Sequence, residues 1–114
     1  MPSATVENYL KALYTLANEN GEINLSDLSI RLGVSKPSVN SMVKTLDQEG
    51  LVAYKKYKPL KLTNKGHKAA ALIIRKHRLT EMYLVENMGF GWEEVHDIAE
   101  QIEHIKAPQF FDRM

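Results

Sequence analysis

A mainly α-helical fold with one short β-hairpin follows from three features of the sequence. Apolar residues recur at helical spacing in five segments. The pattern switches once, around residues 51–63, to two short runs of β type, and Gly or Pro stands at most segment boundaries. The chain has 114 residues, 44% apolar and 25% charged, which is enough to bury a core.

Val6, Tyr9, Leu10, Leu13 and Leu16 predict a first helix over about 4–19, closed by Asn18-Glu19-Asn20-Gly21. A second helix is expected over 26–32, with Ser26 as its cap, Leu28 and Leu32 facing inward and Gly33 as its stop. Ser35 is the N-cap of a third helix, and Pro37 fits its first turn, where a missing N–H costs little. Val39, Met42, Val43 and Leu46 form its inward stripe, and Gly50 ends it. Leu51–Tyr54 and Leu60–Thr63 read as two strands around a basic tip, Lys55-Lys56-Tyr57-Lys58-Pro59. Thr63 then caps a long fourth helix over 64–87. A fifth is expected from Trp92 to about Lys106, before Pro108.

Composition excludes several classes. Cys is absent, so disulfide frameworks, Cys-based zinc sites and thiol catalysis fall away. No apolar run approaches the roughly 18 residues of a membrane span. The first residues carry no basic and apolar signal pattern, which predicts a cytoplasmic protein. The net charge of +1 conceals a division. Residues 1–80 hold 13 Lys/Arg against 6 Asp/Glu, while residues 81–114 hold 2 against 8. A basic first part suits a polyanion, and an acidic last part suits cations or a protein partner.

The second and third helices are joined by the tight turn Gly33-Val34-Ser35, and a basic hairpin follows. This is the order of a winged helix-turn-helix. With the apolar stripe turned inward, the third helix presents Pro37, Ser38, Ser41, Lys44, Thr45 and Gln48 outward. Small hydroxyl residues near its N-terminus allow close approach to base edges, and the free N–H groups there suit phosphate. The DNA-contacting set expected on this basis is Ser35, Lys36, Pro37, Ser38, Ser41, Lys44, Lys55, Lys56 and Lys58, with Tyr57 placed to lie against sugar or backbone.

The acidic part holds a second pattern. His77 with Glu81, His96 with Glu100, and Glu100 with His104 stand four residues apart on expected helices, and Glu103 joins the last group. On one continuous helix, His96, Glu100, Glu103 and His104 fall in an arc about 100° wide beside the apolar arc of Val95, Ile98, Ala99, Ile102 and Ile105. Converging imidazole nitrogens and carboxylate oxygens, without thiolate, suit Mn(II) or Fe(II). Exposed i, i+4 ion pairs share this spacing, so spacing alone leaves both readings open. The His-Glu-x-x-His string of zinc hydrolases is absent, and no residues take named catalytic roles; the chain is therefore not expected to be an enzyme.

Five stretches, Glu7-Asn8-Tyr9-Leu10-Lys11-Ala12-Leu13-Tyr14, Val34-Ser35-Lys36-Pro37-Ser38-Val39, Leu60-Lys61-Leu62-Thr63-Asn64-Lys65-Gly66, Arg75-Lys76-His77-Arg78-Leu79 and Glu100-Gln101-Ile102-Glu103-His104, resemble the diphtheria toxin repressor family of metal-dependent transcriptional repressors. The resemblance spans nearly the whole chain. It implies a winged-helix DNA-binding domain over 1–64 and a helical metal-binding and dimerisation domain over 65–114. It also implies a homodimer that binds a palindromic operator when Mn(II) or Fe(II) is bound and so controls metal-homeostasis genes. By position, one metal site would draw on Asn8, Glu100, Glu103 and His104, and a second on His77, Glu81 and His96. A metal joining the first and fifth helices would then pose the two reading heads for successive major grooves.

The iron-sensing branch of that family has Cys at the Glu100 position and Met at the Asn8 position; the manganese-sensing branch has carboxylates at both. The chain matches the manganese branch at Glu100 and departs from both at Asn8, and Lys11 stands where some manganese regulators have Glu. Family members continue beyond the position of Met114 with at least one more helix, so 65–114 is expected to be an incomplete dimerisation domain. The alternative is a metal-independent winged-helix regulator whose His/Glu cluster is surface decoration.

Overall fold

The computed structural model describes residues 3–114. In chain order the elements are α1 (Ala4–Leu16), β1 (Glu22–Ile23), α2 (Leu25–Leu32), α3 (Lys36–Gln48), β2 (Val52–Ala53), β3 (Leu60–Leu62), α4 (Asn64–Met88), α5 (Trp92–Ile102) and α6 (Pro108–Asp112). The chain divides into two compact units, residues 1–71 and 72–114.

The first unit has the winged-helix order. Ser3 caps α1 by accepting from the Val6 N–H. The helix ends at Leu16, the last residue of its apolar spacing and short of the expected limit near 19, because Asn18 folds the chain back: its Oδ1 accepts from the N–H groups of Asn20 and Glu22, each at 2.9 Å. That turn delivers β1, a strand the sequence did not reveal. β1 and β2 both pair antiparallel with β3, with Glu22 opposite Lys61 and Val52 opposite Leu62, so β3 is the centre of a three-stranded sheet. Two residues are too few to show an alternation. Tyr9, Leu10, Leu13, Leu28, Val39, Val43, Leu46, Leu51, Val52 and Leu60 fill the core. Met42 and Leu32, expected inside, are half-buried.

The cap of α2 lies two residues earlier than expected. Asn24, not Ser26, opens the helix; its Oδ1 accepts from the N–H groups of Ser26 and Asp27. An Asn side chain that satisfies two otherwise orphaned donors is worth about 1 kcal/mol over Ala. Asn24→Ala should therefore lower unfolding free energy by about that amount in urea titration, while Ser26→Ala changes it by less than about 0.5 kcal/mol. Equal losses from the two variants would contradict the assignment. At α3 the expected cap holds: Ser35 Oγ accepts from the Ser38 N–H, and Pro37 lies in the first turn.

The second unit comprises the later part of α4 with α5 and α6, and it buries Ile73, Leu84, Val95, Ala99 and Phe111. α5 stops at Ile102 instead of running to Lys106. The Ile105 N–H bonds to Ile102 O, a three-residue closure that tightens the chain out of the α ladder. Ile105, expected on the buried arc, is therefore exposed. α6, which begins at Pro108, is a further helix that the sequence did not suggest; its anchor is the buried Phe111. Among the described residues no helix is long and apolar enough to cross a membrane.

Candidate functional site

In the second unit, α4 presents His77 and Glu81 one turn apart, and α5 presents His96 and Glu100 in the same way. His77, Glu81 and His96 each offer one ligand atom, and these atoms lie within 4.8 Å of one another. Glu81 stands between the imidazoles, with Oε1 3.3 Å from His77 Nε2 and Oε2 3.7 Å from His96 Nδ1. The two rings meet edge to face, with centroids 4.9 Å apart.

Each imidazole has a second carboxylate behind it. Glu103 Oε1 is 2.9 Å from His77 Nδ1, and Glu100 Oε1 is 3.1 Å from His96 Nε2. The His77 ring thus has a carboxylate oxygen at each of its nitrogens, Glu103 at Nδ1 and Glu81 at Nε2. A carboxylate only accepts, so either a ring proton or a bound cation stands between Nε2 and Glu81 at 3.3 Å. Donors around an octahedral ion with bonds of about 2.1 Å are separated by about 3 Å; the 3.3 Å approach of Glu81 to His77 is close to that, and the 3.7 Å separation of Glu81 from His96 is wider. Metal-bound histidines commonly donate their other N–H to a carboxylate, and the 2.9 Å contact of His77 Nδ1 with Glu103 is placed for that. The donor set fits a divalent ion of the Mn(II) or Fe(II) type, with open positions beyond these three side chains.

The other expected ligands are placed as follows. Asn8 is exposed on α1, in the first unit. Glu100 is exposed on α5. Glu103 is the C-cap of that helix and is wholly buried, and His104 is half-buried in the turn after it. Glu103 keeps the helical bond of its N–H to Ala99 O at 2.9 Å and so stays on the arc, while His104 lies in the turn that ends it. Of Glu100 and Glu103, grouped by family resemblance with Asn8 and His104, Glu103 hydrogen-bonds the His77 ring and Glu100 is the ion-pair neighbour of His96.

In the first unit, Ser35, Lys36, Pro37, Ser38, Ser41 and Lys44 are all exposed along α3, and Lys55, Lys56 and Lys58 are exposed on the β2–β3 turn. The Ser35 hydroxyl donates to Ser38 Oγ at 2.9 Å, which leaves the Ser38 proton available to a ligand. Asn40 is a further polar residue of this face that the sequence reading omitted. It lies three residues after Pro37 and four before Lys44, so helical spacing alone identifies it. Its Oδ1 accepts from the Tyr54 hydroxyl at 3.3 Å, and the Tyr54 N–H donates to Asp47 Oδ1 at 3.3 Å. Tyr54 thereby ties the root of the turn to α3.

Two family models match the chain: "Iron dependent repressor, N-terminal DNA binding domain" over residues 1–60 and "Iron dependent repressor, metal binding and dimerisation domain" over residues 63–114. The HTH-type transcriptional regulator MntR of Lysinibacillus sphaericus is 33% identical over 114 residues, covering 100% of this chain and 81% of that regulator. Among solved structures, the manganese regulator SloR is 35% identical with a TM-score of 0.79, covering 99% of this chain and 52% of that one. A manganese-dependent transcriptional repressor in complex with manganese is 33% identical with a TM-score of 0.81, covering 94% of this chain and 49% of that one. The chain thus spans about half the length of the solved chains it matches. Matched by both models and by a relative of nearly its own length, the chain belongs to the iron-dependent repressor family, as its motifs suggest.

Proposed function

We propose that the protein is a metal-dependent transcriptional repressor. In this reading it binds a palindromic operator as a homodimer when Mn(II) or Fe(II) is bound and so controls genes of metal homeostasis. The observation that carries it is the convergence of His77, Glu81 and His96 within 4.8 Å, in a chain whose first unit exposes the polar face of a winged-helix third helix. Manganese is favoured because the donors are nitrogen and oxygen without sulfur, and because relatives at 33–35% identity are manganese regulators by name.

His77, Glu81 and His96 would hold one ion. The second set, Asn8 with Glu100, Glu103 and His104, is proposed on family resemblance. A bound ion supplies positive charge among these carboxylates and favours the arrangement in which their side chains converge. Glu103 and Glu100 hold the two imidazoles in place, while the N-terminal turn of α3 offers the Ser35 and Ser38 hydroxyls to the duplex. Domain limits near 64 and the use of Ser35, Lys36, Pro37, Ser38, Ser41, Lys44, Lys55, Lys56 and Lys58 at the DNA belong to the same proposal.

The test combines equilibrium dialysis against Mn(II) with fluorescence anisotropy on duplexes selected from a random-sequence library. Saturable Mn(II) uptake and DNA affinity that falls on chelation are expected. Metal-independent affinity would favour the plain winged-helix regulator. Lys56→Ala should weaken binding to every duplex and reduce the slope of log affinity against log salt by about one, as loss of one phosphate contact does. An unaltered slope would remove Lys56 from the interface.

A further inference from the structure

Asn40 stands in the middle of the outward face of α3. Pro37, Asn40, Ser41 and Lys44 follow the i, i+3, i+4, i+7 spacing of one face and are all exposed, while Val39, Val43 and Leu46 are buried on the other side. The Asn40 side chain is nevertheless held. Its Oδ1 accepts from the Tyr54 hydroxyl at 3.3 Å, and Tyr54 is fixed in turn at its backbone, where the N–H donates to Asp47 Oδ1 at 3.3 Å. Asp47 follows Asn40 by two helical turns, so Tyr54 meets the same flank of α3 at two points. Among the described residues the Asn40 amide nitrogen has no hydrogen-bond partner of its own. An exposed hydrogen bond of this length adds little to stability. Its effect is to pre-organise an amide on a surface open to a ligand.

The state of that amide decides what it recognises. An Asn that reads adenine uses both ends at once, the oxygen accepting from N6 and the nitrogen donating to N7. Here the oxygen already carries the Tyr54 hydroxyl, and the nitrogen, with two N–H groups, is the end still open to a base. Two donors fit guanine, whose O6 and N7 both accept in the major groove. A phosphate also accepts. Lys36 and Lys44 on the same helix supply the charge a phosphate needs, however, and the exposed Asp47 carboxylate on the Asn40 flank repels one.

We infer that Asn40 determines base preference at one position of the DNA site and that Tyr54 is a positioning residue acting through it: the phenol engages the carboxamide oxygen, leaves the N–H groups to the base, and so favours guanine over adenine. This rests on the DNA-binding reading above.

The experiment takes the unaltered protein, Tyr54→Phe, Asn40→Ala and the double variant, each with Mn(II), through selection of duplexes from a random-sequence library. Anisotropy on the selected duplex and on its single-base-pair changes, together with thermal melting, gives the readouts. The unaltered protein should prefer guanine to adenine by about tenfold at one position, in the range of base contacts of this kind. Asn40→Ala should level the preference at that position. Tyr54→Phe, which removes one hydroxyl, should release the amide oxygen and move the preference toward adenine there alone. Its melting temperature and salt slope should stay unchanged, since no charge and no packing are lost. The double variant should match Asn40→Ala, because the hydroxyl acts only through the amide. Three results would overturn the inference while DNA binding stands: Asn40→Ala weakens binding to every duplex alike, Tyr54→Phe keeps the unaltered base profile, or the Tyr54→Phe effect persists without Asn40. If the unaltered protein selects no duplex, the DNA-binding reading fails and the inference with it.

Discussion

Gly66→Ala should lower the unfolding free energy by about 2–3 kcal/mol. A Cβ built at Gly66 falls 1.9 Å from Leu51 O and 2.9 Å from Leu51 C, with Leu62 Cδ2 at 3.1 Å. The first two neighbours are backbone and cannot rotate aside, so the start of α4 must move away from the chain after α3. Three hydrogen bonds resist that motion: Thr63 N–H to Leu51 O at 3.1 Å, the Thr63 hydroxyl to Gly50 O at 2.6 Å, and Lys65 Nζ to Glu49 O at 3.0 Å. Overpacking of this kind costs about 1–3 kcal/mol, and each strained hydrogen bond adds up to about 1 kcal/mol. The better helix propensity of Ala returns about 1 kcal/mol. Lys68→Ala, exposed on the same helix, is the control and should change stability by less than about 0.5 kcal/mol. Urea denaturation followed by circular dichroism gives both numbers; a Gly66→Ala protein as stable as the unaltered one would mean that the close approach is absent.

The steric role of Gly66 shows how far the sequence could be read. Its residue type was visible within Leu60–Gly66, but the carbonyl above it belongs to Leu51, fifteen positions away, and no local pattern reports that neighbour. Elements with strong periodicity and a good cap were legible: α3, with Ser35, Pro37 and its inward Val39, Val43 and Leu46, is the best case. Asn24 lost to Ser26 in the reading of α2 because both are good caps, and only backbone geometry decides which side chain reaches the free N–H groups. β1 is too short to show a period, and its pairing with β3 is a long-range event. α6 is short and carries one buried anchor, Phe111.

The candidate metal site was legible as residue types and spacings, since His77/Glu81 and His96/Glu100 are each one turn apart. How the two pairs meet was not, because that depends on the packing of α4 against α5. Nor was the complete burial of Glu103, which stands four residues after Ala99 and eight after Val95, both wholly buried, with its N–H still bonded to Ala99 O. Spacing placed Glu103 beside the apolar arc, where it could face a neighbouring helix; the fold makes it a wholly buried partner of His77.

That difference sets the largest expected effect on function. Glu103→Gln should lower Mn(II) affinity by about 10- to 100-fold, the usual effect of removing a carboxylate that supports a metal-bound histidine. The amide oxygen can still accept from His77 Nδ1 where Glu103 Oε1 now does, at 2.9 Å, so the fold is retained. What disappears is the negative charge that makes the imidazole a stronger donor and favours a cation beside Nε2. Glu103→Ala should do more, because it also leaves a buried ring N–H without this acceptor, at about 1–3 kcal/mol of stability. Glu81→Gln provides the comparison: Glu81 is a direct donor candidate with less burial, so it should lose Mn(II) affinity with little change in melting. Isothermal titration with Mn(II), thermal melting, and DNA anisotropy with and without chelator distinguish the three variants. Undiminished Mn(II) affinity in Glu103→Gln would show that the buried carboxylate only fills space. A Glu103→Gln protein that keeps its metal response on DNA would separate this residue from regulation altogether.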